Sequence, residues 1–320
     1  MIETARRWTS RLLPIVLLGL AGWVLWREFR NLSPAVVMAE IQAWGAWRIA
    51  AASALTIFSF GLLAAMDWMG LLWAGAKVPL RVVLLGAFCA NAFAHAVGFS
   101  LLTGSAVRAR LYNPHGASLM QIAQTSLFAG VSFGLGIVTL AGLSLLVSPS
   151  IGSFGADLSP GLIRWLAMLL LATPVVYIAA CLWLRGQVTL LGRLYSLPPP
   201  GYALAQIALG LVDNAVTAMV IWVLLPTGFV GAAAFANTYV VGAIVGVISH
   251  VPGGAGVFEG VVLTLLPNLS RPTLAAAFVG FRLIYYIAPL VLAGALLVRS
   301  GLKARKPLPA NAPPSGPVQG

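Results

Sequence analysis

The chain has 320 residues, of which 60% are hydrophobic and 8% charged, and its mean hydropathy is +0.96. That composition excludes an ordinary soluble domain and supplies several apolar stretches long enough to cross a bilayer. The net charge of +12, in a chain with ten Trp, reads as membrane orientation and not as nucleic-acid binding. Lys and Arg gather in cytoplasmic loops, and Trp settles at the lipid–water boundary.

Apolar spans are predicted at about 12–29, 47–75, 118–147, 162–184, 201–225 and 273–299, each near or above the roughly 20 residues that a crossing needs. The first begins MIETARRWTSRLLPIVLLGL and carries Trp23 and Trp26 at its far end with no small-x-small cleavage site, so it is read as a retained helix. After it, NLSPAVVMAEIQAWGAW predicts a short amphipathic surface helix with Ser33 as N-cap and Pro34 behind it. Two further apolar regions, 82–115 and 231–267, are interrupted, the first at GFSLLTGSAVRARLY (98–112) and the second at ISHVPGGAGVFEGVVL (248–263). The stretch from Lys303 onward is Pro-rich and apolar-poor, and residues 301–320 are expected to form a disordered cytoplasmic tail.

Charge decides how the interrupted regions thread. If each crosses once, with the Arg-rich N-terminus inside, then Arg108, Arg110, Arg185 and Arg193 face outward, and loop 148–161, which has no Lys or Arg, faces the cytoplasm. That defies the positive-inside rule. If each instead returns to the face it came from, the cytoplasmic side collects Arg6, Arg7, Arg11, Lys77, Arg81, Arg108, Arg110, Arg185, Arg193, Arg299, Lys303, Arg305 and Lys306. Only Arg27, Arg30, Arg48, Arg164 and Arg271 then lie outside. The expected fold is therefore an all-α polytopic membrane protein: six full transmembrane helices plus two re-entrant helical hairpins, forming one transmembrane domain over residues 1–300. Its halves, about 10–147 and 162–299, run in opposite senses as an inverted repeat. Asp67 and Asp213 occupy matching places in the two halves, and TGSAV (103–107) can be laid over GGAGV (253–257).

A break at membrane depth implies a buried or wet environment, because unpaired amides cost several kcal/mol each in hydrocarbon. Pro252 removes a backbone donor, and Gly253, Gly254 and Gly256 permit turns and close approach. A short helix beginning near Gly254 would point its positive end into a cavity where an anionic head group could bind. PGG alone also fits a tight packing kink with no ligand; Glu259, an intramembrane carboxylate, favours a pathway or relay. Arg108 and Arg110 fit two readings: snorkelling side chains that set topology, or, for Arg108, an inward-facing fork suited to a lipid phosphate. Arg282 lies inside the last span and needs a partner, with Glu259, Asp213 or a phosphate as candidates.

The flanks of Asp67 and Asp213, AAMDWMG and GLVDNAV, do not match the patterns of intramembrane aspartyl proteases; an ion pair with Arg282 or Arg108, or proton coupling, is expected instead. His95 and His250 each stand alone, and HExxH is absent. Cys89 and Cys181 lie in apolar segments without CxxC spacing, so no disulfide framework, zinc site or other cofactor is expected. Tyr285 and Tyr286 are expected to pack the last helix, with room for one hydroxyl to face the cavity.

SHVPGGAGVFEGVVL (249–263) and LTGSAVRARLYNPHGAS (102–118) resemble the two signature segments of the membrane region of lysyl-phosphatidylglycerol synthases, the multiple peptide resistance factor family, and of its stand-alone relatives. The resemblance covers most of residues 10–300. It implies a multi-pass protein of the bacterial inner membrane, with both termini cytoplasmic, that binds and translocates phosphatidylglycerol or an aminoacylated derivative. Carried over by motif position, Gly104, Ser105, Arg108, Pro252, Gly253, Gly254 and Glu259 are lipid-site candidates; Arg282, Asp67 and Asp213 join them on the physical argument. No soluble synthase domain follows the last span, so no catalytic residue is expected, and any synthase would be a separate partner. The alternative expectation is a non-transporting scaffold that presents lipid to a separate synthase or glycosyltransferase.

Overall fold

The computed structural model describes residues 34–97, 100–150, 158–184, 187–190, 193–226, 228–249, 251–254, 256–268 and 270–303. The predicted span at 12–29, the Ser33 cap, His250 and the tail beyond Lys303 lie outside these described residues.

Helix follows helix. A short α1 (Pro34–Gln42) leads into α2 (Ala46–Trp73), α3 (Leu80–Val97), α4 (Ser100–Tyr112), α5 (Leu119–Val147) and α6 (Pro160–Trp183). A pair of four-residue strands, β1 (Gln187–Leu190) and β2 (Arg193–Ser196), connects α6 to α7 (Pro200–Leu224). The strands pair antiparallel, with Gln187 opposite Ser196 and Leu190 opposite Arg193, and are the one departure from an all-helical chain among the described residues. Then come α8 (Ala232–Ile248), α9 (Val257–Leu265) and α10 (Arg271–Phe281), a π-helical turn (Arg282–Ile287) and α11 (Ala288–Lys303).

Helix starts are written in the sequence. Ser118 caps α5 by accepting from the Gln121 amide, while the Gln121 side chain accepts from the Ser118 amide in return. Ser159 and Ser270 cap α6 and α10, with Pro160 and Pro272 in the first turns, where a missing N–H costs nothing.

Six helices are long and apolar enough to cross a membrane: α2, α3, α5, α6, α7 and the continuous run Pro272–Arg299. Five coincide with predicted spans. The sixth, α3, was expected to be a hairpin arm. Helix α6 is the least buried of the six. Its Trp165 and Trp183 are 70% and 83% exposed and lie 18 residues apart, about 27 Å of helix, which matches an aromatic girdle at each edge of a bilayer. The chain is a multi-pass membrane protein.

The centre is built from α2, α5 and α7. At the α5/α7 crossing, Gly136 faces Gly210 so closely that a Cβ on either would overlap the other helix's backbone. Small residues let helix backbones approach this way when lipid offers no competing hydrophobic drive.

Both interrupted regions fold back on themselves. In the first, the end of α4 lies against the start of α3, with Tyr112 on Gly86, and Gly104 lies near Ala90 and Ala94. Helix α4 begins at Ser100, so most of 98–112, which was expected to be broken, is helical. In the second, Gly242 of α8 meets Phe258 of α9, and Gly246 meets Gly254. The two fold-backs touch at their tips, where a Cβ on Gly253 would come within 3.3 Å of the His95 carbonyl oxygen. Packing is exchanged between the halves: α5 leans on α8 and α11 on α3.

Candidate functional site

Each fold-back carries one buried ion pair. In the first, the Arg108 fork grips Asp67 with both arms: Nε donates to Oδ2 and Nη2 to Oδ1, each at 2.7 Å. Tyr112, one turn after Arg108 on the same helix face, donates to Oδ2 at 2.7 Å and lies 3.2 Å from the Val83 carbonyl oxygen. Two glycines make the room. A Cβ at Gly86 would overlap the Tyr112 ring, and one at Gly104 would stand 2.8 Å from Arg108 Nη1. Asp67 and Arg108 are almost wholly removed from solvent, so Arg108 does not snorkel. Ser105 donates to Ser126 at 2.8 Å and ties α4 to α5.

In the second, Arg282 at the start of the π turn donates from Nε and Nη2 to Glu259 Oε1, at 3.1 and 2.7 Å. Its Nη1 donates to the Gly253 carbonyl at 2.8 Å, and its guanidinium lies 4.6 Å from the centre of the Tyr286 ring. One side chain therefore holds the broken loop, the helix behind it and an aromatic face, which a planar fork can do and a lysine cannot. The loop takes left-handed φ at Gly253 (61°), Gly254 (63°) and Gly256 (78°). Only glycine adopts that conformation without strain.

The helix after the break starts at Val257, and its exposed end is closed from within: Glu259 Oε2 accepts from the Gly256 amide at 2.9 Å. The expected anion site at this helix start is thus taken by the chain's own carboxylate, whose charge suits the positive end of the helix. Of Pro252, the structure describes the backbone, in a single helical turn with Gly253 and Gly254.

Between the pairs lies a third cluster. Ser59 of α2 donates to Asp213 Oδ1 of α7 at 2.6 Å and shares a hydrogen bond of 2.8 Å with the Tyr285 hydroxyl, which also lies 3.1 Å from Thr217 Oγ1. His95 stacks on the Tyr285 ring at 5.3 Å, and its Nδ1 has no hydrogen-bond partner among the described residues. The expectation that Asp213 pairs with an arginine is corrected here. Arg108 is spent on Asp67 and Arg282 on Glu259, and the two salt bridges among the described residues leave Asp213 with hydroxyl neighbours only.

Sequence reasoning missed Ser59, Tyr112 and Thr217. Tyr112 had a signal, its i, i+4 spacing from Arg108; Ser59 and Thr217 had none. Among the described residues, no three His, Cys, Asp or Glu side chains converge on a possible metal position. Away from the pairs, an apolar groove of about 260 Å³ opens between α5, α7 and α8, lined by Leu140, Leu143, Val147, Met219, Ala233 and Ala236 among others.

Comparison with known proteins gives two relatives of similar extent. Slr0712, a Synechocystis protein described as uncharacterised, is 32% identical over 263 residues, 79% of this chain and 80% of its own. YbhN of Escherichia coli, described as an inner membrane protein, is 30% identical over 251 residues, 77% of this chain and 78% of its own. No family model matches the chain.

Proposed function

The chain belongs to the family of the inner membrane protein YbhN, and from that premise we propose that it moves a phospholipid between the leaflets of a bacterial inner membrane. The observation that carries this reading is the meeting of two broken helical hairpins at their tips, each beside a buried Arg–carboxylate pair. Irregular backbone at membrane depth belongs where it is enclosed by protein or lines a path. A guanidinium held by a carboxylate can exchange that acceptor for a phosphate, which offers the same paired oxygens. The phosphate contact fits phosphatidylglycerol, and the exchange would free Glu259 to take the amine of an aminoacylated derivative, as the resemblance to the lysyl-phosphatidylglycerol synthase membrane region suggests.

In this reading the hairpins are re-entrant, one from each face, and the halves form an inverted repeat. The exchanged packing of α5 on α8 and α11 on α3 supports it. Arms α3 and α8 are about 27 and 26 Å long, so two arms meeting tip to tip must tilt or start in the headgroup layers of a membrane whose hydrocarbon is about 30 Å thick. A conformation with both arginines latched is, in this reading, closed to lipid. No covalent chemistry is proposed, and the termini are cytoplasmic.

A second reading has its own support. Both guanidinium groups are held by carboxylates inside the protein, as they would be if the pairs were only staples of a scaffold for a separate synthase or glycosyltransferase. A leaflet assay separates the two. Purified protein in liposomes should bring quenchable phosphatidylglycerol or its lysyl derivative to the outer leaflet, and Glu259→Gln should stop it. If neither protein moves any lipid while both stay monodisperse, the scaffold reading replaces transport.

A further inference from the structure

The three buried carboxylates are not equivalent. Asp67 and Glu259 each have a guanidinium at 2.7 Å, so protonating either would break an ion pair and strand a buried cation. Asp213 has Ser59 Oγ at 2.6 Å and no salt-bridge partner among the described residues. A carboxyl held only by hydroxyls can trade its charge for a proton without stranding anything, because hydroxyls donate or accept by rotating.

We propose that Asp213 is the proton-carrying group that couples lipid movement to a proton gradient; this rests on the lipid-transport reading above. When Asp213 is ionised, Ser59 donates to Oδ1 and Tyr285 donates to Ser59. When a proton from one aqueous side joins Asp213, the carboxyl donates to Ser59, Ser59 turns its own hydrogen toward the Tyr285 oxygen, and Tyr285 turns its hydrogen to Thr217 Oγ1. The proton leaves to the other side after the lipid has moved, and the three hydroxyls turn back. The hydroxyl chain ends on the π turn that also carries Arg282, so the charge at Asp213 bears on the segment that latches Gly253 and Glu259.

Helix α7, which carries Asp213, packs against α2, α5, α6, α8 and α10, and α10 carries one titratable residue, Arg271, at its first position. Tyr239 faces it from α8 and Tyr285 from the π turn, with His95 of α3 stacked behind Tyr285. Helix α5 has no titratable side chain, Tyr177 and Cys181 of α6 lie toward Gln206, and Asp67 farther along α2 is held by Arg108.

The test uses the full chain in liposomes with the voltage clamped by potassium and valinomycin, reading the leaflet ratio of a fluorescent phosphatidylglycerol under inward and outward pH gradients. One proton per lipid would shift that ratio about tenfold per pH unit at the limit of tight coupling. Asp213→Asn should move lipid to one ratio whatever the gradient, and Tyr285→Phe, which keeps the ring, should weaken the response. A wild type that moves lipid with no gradient dependence overturns the coupling and leaves transport standing. A wild type that moves no lipid under any gradient removes both. If Asp213→Asn does not fold, the Tyr285 variant decides: a response equal to wild type overturns the assignment.

Discussion

Asp67 and Arg108 show how little a buried charge tolerates the loss of its partner. Removing one member leaves the other unpaired in a low-dielectric interior, at about 3–5 kcal/mol. Asp67→Asn should therefore lower the thermal midpoint in detergent sharply, and adding Arg108→Gln should recover part of the loss, as read by fluorescence-detected size exclusion after heating. An additive double mutant would mean that the pair contributes nothing as a pair. Gly86 makes a second test, since its missing side chain is what seats the Tyr112 ring on Asp67. Gly86→Ala should cost about 1–3 kcal/mol through overpacking and should be far less harmful in a Tyr112→Ala background. At this scale the sequence was a partial guide. A carboxylate and an arginine inside apolar spans announce that partners exist, but which acid meets which arginine depends on tertiary placement, and Asp213 went to hydroxyls that no spacing rule could have picked.

Helices, and the places where they break, were more legible than their contacts. Long apolar runs alone placed the starts of α5, α6 and α10 within two residues; the serine caps and first-turn prolines found there act within one turn and would have fixed them more closely. Two features escaped. Residues 100–112 are helical although the stretch 98–112 was expected to be broken, since packing against α3 outweighs the propensity penalty of about 1 kcal/mol at Gly104. The β1/β2 pairing went unread although Gln187, Val188, Thr189 and Leu190 alternate polar and apolar, because four residues are too few for that period to stand out. The α5/α7 crossing gives the sharpest test at this scale. Gly136 and Gly134 are two residues apart on α5, but a Cβ at Gly136 overlaps α7 while one at Gly134 meets nothing within 4 Å. Gly136→Ala should lower the thermal midpoint, whereas Gly134→Ala should leave it unchanged or raise it slightly. Equal effects would mean that the close crossing is not where the structure puts it.

For the whole molecule, the account depends on hairpins that return to the face they start from. Burial of Arg108 removes it as an orientation signal, yet the remaining Lys and Arg keep the same strong bias toward the side assigned to the cytoplasm. Composition made the membrane environment plain; the meeting of the hairpin tips was beyond it, because Gly253 and His95 are joined by three-dimensional packing and by nothing local. The most direct measurement is sided thiol labelling in a Cys89→Ala, Cys181→Ala background, with single cysteines at the exposed positions Lys77, Asn113, Phe229 and Asn268. The account predicts that Lys77 and Asn113 label from one face and that Phe229 and Asn268 both label from the other. Lys77 and Asn113 labelling from opposite faces would contradict it.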